Sequence, residues 1–152
     1  MVHKLTRELS IPRPVEAVFD FFSDARNLEQ ITPPELRFRV TTSGPIEMGT
    51  GTNIHYRLSL FRIPFGWTTR IDTWDPPDRF VDVQIAGPFA RWEHTHWFEA
   101  SEAETTIRDE VIYELPFAPF GELAGSLVRR ELDRIFDFRT VATGRILEAK
   151  RN

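Results

Sequence analysis

His94 and His96, one residue apart, and Asp109 in the next extended run are the titratable side chains of this sequence that fall in apolar surroundings. Trp92-x-His94-x-His96-x-Phe98 and Ile107-x-Asp109-x-Val111-x-Tyr113 both repeat with the period of two that a half-buried strand requires. Ser101-Glu102-Ala103-Glu104 between them has turn chemistry. A hairpin closed there sets Phe98 beside Ile107, His96 beside Asp109, His94 beside Val111 and Trp92 beside Tyr113. The alternate residues Glu93, Thr95, Glu99, Thr106, Arg108 and Glu110 then face water, with Trp97 the exception.

An imidazole or carboxylate buried without a partner costs several kcal/mol, so this polar group must be partnered. Three uses fit its residue types. His96 and Asp109 can form a structural pair, with His94 bonded to backbone or water. They can be the few polar contacts of an apolar pocket, fixing a ligand's hydroxyl, carbonyl or carboxylate. Or His94 or His96 can act as general base with Asp109 orienting the ring. Zinc would need a third neutral ligand that the pattern does not supply, so neither metal nor cofactor is expected.

The elements that carry these residues follow from changes of period. His3 to Ile11 alternates and stops at Pro12-Arg13-Pro14, because proline lacks a ladder donor. Val15, Val18, Phe19 and Phe22 then recur at helical spacing behind Pro14, and a second short helical piece, Ala25 to Ile31, ends before Thr32-Pro33-Pro34. Six strands follow: about Leu36 to Thr42, Thr52 to Phe61, Trp67 to Trp74, Phe80 to Ala86, Ala90 to Ala100 and Thr105 to Leu115. Their short connections, including Ile63-Pro64-Phe65-Gly66 and Gly87-Pro88-Phe89, imply antiparallel neighbours. Carrying the register back across Gly87-Pro88-Phe89 places Val81, Val83 and Ile85 on the inner face and sends Asp82 and Gln84 outward.

Phe120 to Lys150 contains no proline and reads as one long helix, the only element long enough to cover a curved sheet. Arg129, Arg130, Glu131, Asp133 and Arg134 read as its solvated face with local ion pairs. Leu115-Pro116-Phe117-Ala118-Pro119-Phe120 before it is either a plain connector or an apolar lip over a pocket mouth.

At 152 residues the chain suits one domain spanning 1–152. A formal net charge of −4 with dispersed basic residues argues against nucleic acid. The absence of cysteine excludes disulfides and thiolate chemistry and fits a reducing cytoplasm, the expected location. The N-terminus lacks the apolar stretch of a signal peptide, and no run is long enough for stable membrane insertion. Thirteen Phe and four Trp are material for either a dense core or pocket walls. There is no phosphate-binding glycine loop, Gly-x-Ser-x-Gly or His-Glu-x-x-His.

With this element order, the chain resembles the helix-grip superfamily often called SRPBCC, which includes lipid-transfer START domains, birch-pollen-allergen-like proteins and bacterial polyketide cyclase/dehydrase-like proteins. The resemblance rests on Ile11-Pro12-Arg13-Pro14-Val15-Glu16-Ala17-Val18-Phe19, Trp74-Asp75-Pro76-Pro77, Gly87-Pro88-Phe89, Trp92-x-His94-x-His96-x-Phe98 and Asp109 to Pro116, with Phe136-x-Phe138-Arg139 in the last helix. It implies an α+β fold in which a curved seven-stranded antiparallel sheet grips the long C-terminal helix, with two short helices between strands one and two. It also implies a cavity between sheet and helix.

The residues whose counterparts line such cavities are Tyr56, Leu58, Trp67, Ile71, Val83, Trp92, His94, His96, Asp109, Val111 and Tyr113, with Leu127 and Ile135 from the helix. The expected function is binding or carriage of a hydrophobic small molecule, whether lipid, aromatic or polyketide-like. The alternatives are a polyketide cyclase/dehydratase-type enzyme using His94 or His96 with Asp109, and a protein-interaction module without ligand. Fold alone does not choose among them, and nothing in the sequence sets an oligomeric state.

Overall fold

A computed structural model describes residues 1–117 and 120–149. Strand β1 (His3–Ile11) runs into Pro12 and Pro14, where the ladder must stop. Helix α1 (Val15–Ser23) starts after the extended Pro14, carries Glu16 in its first turn and buries Val18, Phe19, Phe21 and Phe22. A 3₁₀ segment, Ala25–Ile31, is capped by the Asp24 carboxylate, which accepts from the Arg26 backbone N–H at 3.0 Å.

Strands β2 (Arg39–Val40), β3 (Asn53–Leu60), β4 (Ile63–Asp75), β5 (Arg79–Ala86), β6 (Arg91–Ser101) and β7 (Glu104–Glu114) follow, and α2 (Gly125–Ala149) closes the chain. The seven strands form one sheet in the order β1-β7-β6-β5-β4-β3-β2, with every pairing antiparallel. This is the helix-grip arrangement: the sheet curves around α2, and α1 with the 3₁₀ segment packs at one end. Ile11, Val18, Phe19, Ile54, Ile71 and Phe98 belong to the core at the α1 end, and Leu5, Trp92, Val111, Tyr113, Leu132 and Phe136 to the core under α2.

Three boundaries differ from the sequence expectation. The strand expected from Leu36 to Thr42 contracts to β2, because Pro34–Leu36 makes a 3₁₀ turn and Arg37 takes a positive φ of 50°. The β3–β4 turn is not Ile63 to Gly66 but Phe61 and Arg62, both left-handed at φ 52° and 65°, the backbone of a two-residue hairpin. Pro64 then sits inside β4 opposite Ser59; its missing N–H is tolerated because the β5 ladder reaches only the Thr68–Ala86 pair.

The final helix begins as a 3₁₀ segment, Phe120–Ala124, before α2. Gly121 is required there, since a Cβ on it would lie 1.9 Å from the Pro116 carbonyl oxygen. Of the proposed apolar lip, Ala118 and Pro119 lie outside the described residues, as does Lys150 at the far end of the expected helix.

The charged face of α2 also does more than pair locally. Arg129–Asp133 and Arg134–Glu131 are the helix-spaced pairs that the sequence suggests. Asp133 additionally meets Arg7 of β1 at 2.8 Å, Asp137 meets Arg7 at 3.0 Å, and Arg134 pairs with Glu35. These contacts tie α2 to β1 and to the segment before β2, holding the lid of the interior in register with its walls.

Candidate functional site

The concave face of the sheet and α2 enclose a cavity of about 150 Å³. The β3–β4 register puts Tyr56 beside Trp67, and the β4–β5 register puts Ile71 beside Asp82, so inward residues of successive strands fall in rows. Trp67 and Trp92 meet edge to face with centroids 5.2 Å apart, and the Trp67 indole N–H donates to Thr69 Oγ1 at 3.2 Å. From α2, Leu132, Ile135, Phe136 and Arg139 complete the enclosure at helical spacing.

Among the residues expected at this cavity, Tyr56, Leu58, Trp67 and Ile71 line it, as do Trp92, His94, His96 and Ile135. Val111 and Tyr113 are packed into the core under α2 instead. Leu127 is 53% exposed, because the inward stripe of α2 runs through Val128, Leu132, Ile135 and Phe136 and leaves Leu127 off it. Val83 is also corrected. It pairs with Glu93 on the opposite sheet face, while Asp82 pairs with His94 and Phe80 with His96. The β5 register is the one a symmetric Gly87-Pro88-Phe89 turn dictates, and the inner face holds its even-numbered residues. The register carried back to Val81, Val83 and Ile85 is therefore one step out, which inverts the strand, and Ile85 is 45% exposed.

That inversion brings in the carboxylate that the sequence reading sent outward. His96 Nε2 lies 2.6 Å from Asp82 Oδ2, and His94 Nε2 lies 2.8 Å from Asp109 Oδ1. His96 Nδ1 is 3.2 Å from the same Asp109 oxygen, but the angle is too poor for a hydrogen bond. The expected His96–Asp109 pair is present as an ion-pair contact, and two hydrogen-bonded pairs, His94–Asp109 and His96–Asp82, join it, with the imidazoles stacked at 3.7 Å. Asp82, His94 and His96 line the cavity; Asp109 lies behind its wall, against a separate void of about 10 Å³.

The charge states follow from burial and partners. Desolvation, aided by repulsion from His96, pulls His94 down to about 4 despite the Asp109 hydrogen bond. Desolvation also pulls on His96, but its close contacts with the carboxylates of Asp109 and Asp82 outweigh it and raise His96 above its ordinary value. Burial alone would raise both acids. The histidine hydrogen bonds and charges reverse that, placing Asp82 below the usual carboxylate range and Asp109 well below it. An ionised Asp109 only accepts, so neutral His94 donates through Nε2–H and carries its lone pair on Nδ1. Burial, with Asp82 close by, pushes the Tyr56 phenol up and keeps it protonated.

Arg139 was not foreseen as a cavity residue. Its guanidinium carbon lies 5.7 Å and 5.9 Å from the Phe22 and Phe136 ring centroids, and Nη2 is buried with no hydrogen-bond partner among the described residues. In sequence it looks like any helix arginine; only its spacing from Leu132 and Phe136 marks the inward stripe.

The family described as polyketide cyclase/dehydrase and lipid transport matches residues 11–138. The chain belongs to that family. No curated protein matches it by sequence. Among solved structures, the Zhui aromatase/cyclase from Streptomyces sp. R1128 superposes with a TM-score of 0.81 at 14% identity, covering 100% of this chain and 97% of that one. A Thermus thermophilus protein, TTHA0849, gives 0.74 at 22% identity over 99% and 100% of the two chains. A Thalictrum flavum norcoclaurine synthase point mutant, in complex with a transition-state analogue, gives 0.72 at 12% identity over 100% and 98%. At such identities the likeness concerns the helix-grip fold of the polyketide cyclase/dehydrase family and not the chemistry of any one member.

Proposed function

We propose that this chain binds an apolar small molecule, aromatic or short-chain, in the cavity between sheet and α2. The observation that carries the reading is the cavity itself: about 150 Å³ of space walled mainly by apolar side chains, among them Trp67, Trp92, Ile71, Leu132 and Phe136, with Asp82, His94, His96 and Arg139 among its charged or titratable groups. A void of that size in an apolar core holds a benzene-sized molecule, so the bound portion is one ring or a short acyl segment. The interaction-module alternative calls for an interior filled by its own side chains, and the cavity speaks against it. No helix among the described residues is long and apolar enough to cross a membrane.

A second reading, acid–base chemistry of the cyclase/dehydratase type, is favoured by one further observation. His94 is held by Asp109 at 2.8 Å with its other ring nitrogen left for the cavity, and His96 is held by Asp82 at 2.6 Å. That arrangement offers a proton acceptor, the free His94 nitrogen, beside a hydrogen-bonded His96–Asp82 pair.

Binding is tested by titrating benzene derivatives, acetophenones, naphthols and short fatty acids while following tryptophan fluorescence and calorimetric heat. The expected result is saturable one-to-one binding of at least one class, abolished by Ile135→Trp, which fills the cavity from its rim. Silence of the entire panel by both methods would overturn the proposal.

A further inference from the structure

We propose that Asp82, His94 and His96 form a binding site for one divalent transition cation of the zinc class, open on its fourth side to the cavity. The inference goes beyond apolar-ligand binding and does not depend on it. One donor atom from each of the three residues lies within 4.8 Å of the others. All three side chains line the cavity, whereas Asp109 stands behind the wall.

The network separates into an inner and an outer set of contacts. Asp109 Oδ1 lies 2.8 Å from His94 Nε2 and 3.2 Å from His96 Nδ1, so one carboxylate backs both rings. By accepting from His94 Nε2–H it orients that ring and fixes its tautomer, as an outer carboxylate does for a metal-bound imidazole, while its contact with His96 is electrostatic. It leaves His94 Nδ1, His96 Nε2 and an Asp82 oxygen as the donors on the cavity side. The 2.6 Å His96–Asp82 contact is where a cation would enter, replacing the shared proton.

Metal–ligand bonds of about 2.0–2.1 Å at tetrahedral angles put donor atoms roughly 3.4 Å apart. The His96–Asp82 pair therefore has to open, and the two imidazoles, stacked at 3.7 Å with planes 26° apart, have to turn so that their in-plane lone pairs converge on one ion. Two nitrogens and one carboxylate oxygen suit zinc, cobalt or iron(II) better than calcium or magnesium. Arg139, reaching the cavity from α2, opposes a cation, and the carboxylates of Asp82 and Asp109 outweigh its single charge.

The chain holds four histidines and no cysteine, so two candidate rings and two internal controls, His3 and His55, make up the imidazole spectrum. Zn²⁺ alone is titrated into the chelator-treated full chain, with imidazole NMR resonances and calorimetric stoichiometry as readouts. Co²⁺ is titrated in parallel for its visible absorption. We expect one ion per chain, shifts confined to His94 and His96, and the intense absorption of four- or five-coordinate cobalt. Asp82→Ala should abolish the cobalt bands, and Asp109→Asn should weaken affinity by about 10–100-fold without abolishing them. Shifts at His3 or His55 only, octahedral cobalt, or no saturation at millimolar Zn²⁺ would each overturn the proposal. The wild-type spectrum decides even where a variant does not fold.

Discussion

Replacing His94 by Gln should remove one limb of the protein's pH–stability profile and leave the other. His94 is neutral in the fold, with its value lowered to about 4 from an ordinary 6.5. The unfolded chain therefore takes up a proton between those values that the folded chain does not, and stability present above pH 6.5 is lost as pH falls toward 4. A drop of that size, at about 1.4 kcal/mol per unit, amounts to about 3 kcal/mol. Asp82 and Asp109 do not blur this window, because their depressed values place their own losses at lower pH.

His96 has the opposite sign. Its folded value is raised, so its contribution is complete below 6.5 and is lost as pH rises through the raised value. Stability should peak near pH 6.5, with an acid limb from His94 and an alkaline limb from His96. A glutamine at 94 can still donate an N–H to Asp109 but cannot take a proton. Urea unfolding in the presence of chelator, at fixed ionic strength from about pH 4 to 8.5, should show the acid limb flattened by about 3 kcal/mol with the alkaline limb intact. A wild-type profile flat between about pH 4.5 and 6.5, or a Gln variant that keeps the wild-type limb, would refute the charge assignment.

Other substitutions test the packing. Gly144→Ala, in the interior of α2 with nothing within 4 Å of the added carbon, should stabilise by about 1 kcal/mol, a rise of roughly 2–4 °C in Tm by calorimetry. Gly121→Ala should destabilise in the same assay, because its methyl would meet the Pro116 carbonyl. Phe61→Asn with Arg62→Gly, at the two left-handed turn positions, should stabilise by about 1–2 kcal/mol per residue relieved, measured by denaturant unfolding. Phe136→Ala should cost about 3–5 kcal/mol, since that ring joins the core under α2 and contacts Trp92 and His94.

The sequence made the architecture legible because each element carries its own period and terminator. Pro12 and Pro14 end β1, Thr32-Pro33 ends the 3₁₀ segment, and the Ser101–Glu104 turn sets the β6–β7 register through His96 and Asp109. The site was legible only where faces could be assigned by charge. On β6 and β7 the outward Glu and Arg residues settle the face, and His94 and His96 fall at the cavity wall. On β5 the expected register is one step out: Val81 and Val83 pair with Thr95 and Glu93 on the outer sheet face, while Asp82 pairs with His94 on the inner face and there meets His96.

A strand pattern alone does not say that a buried carboxylate will find an imidazole, since that depends on a neighbouring strand. Arg139 was hidden for the converse reason. An arginine on a helix reads as surface, and its inward position is a property of how α2 lies across the sheet. The β3–β4 turn escaped because Phe61 and Arg62 are not turn-forming residues, and Pro64-Phe65-Gly66 next to them are.

The central claim is that the space between sheet and α2 receives a small apolar ligand, and its most direct test is a two-dimensional NMR titration with an aromatic ligand selected from the binding panel. The Trp67 and Trp92 indole signals, with methyl groups of Ile71, Leu132 and Ile135, should shift together with one dissociation constant. Shifts confined to exposed residues such as Phe61, Ile63 or Leu123, with both indole signals unmoved at saturation, would contradict it.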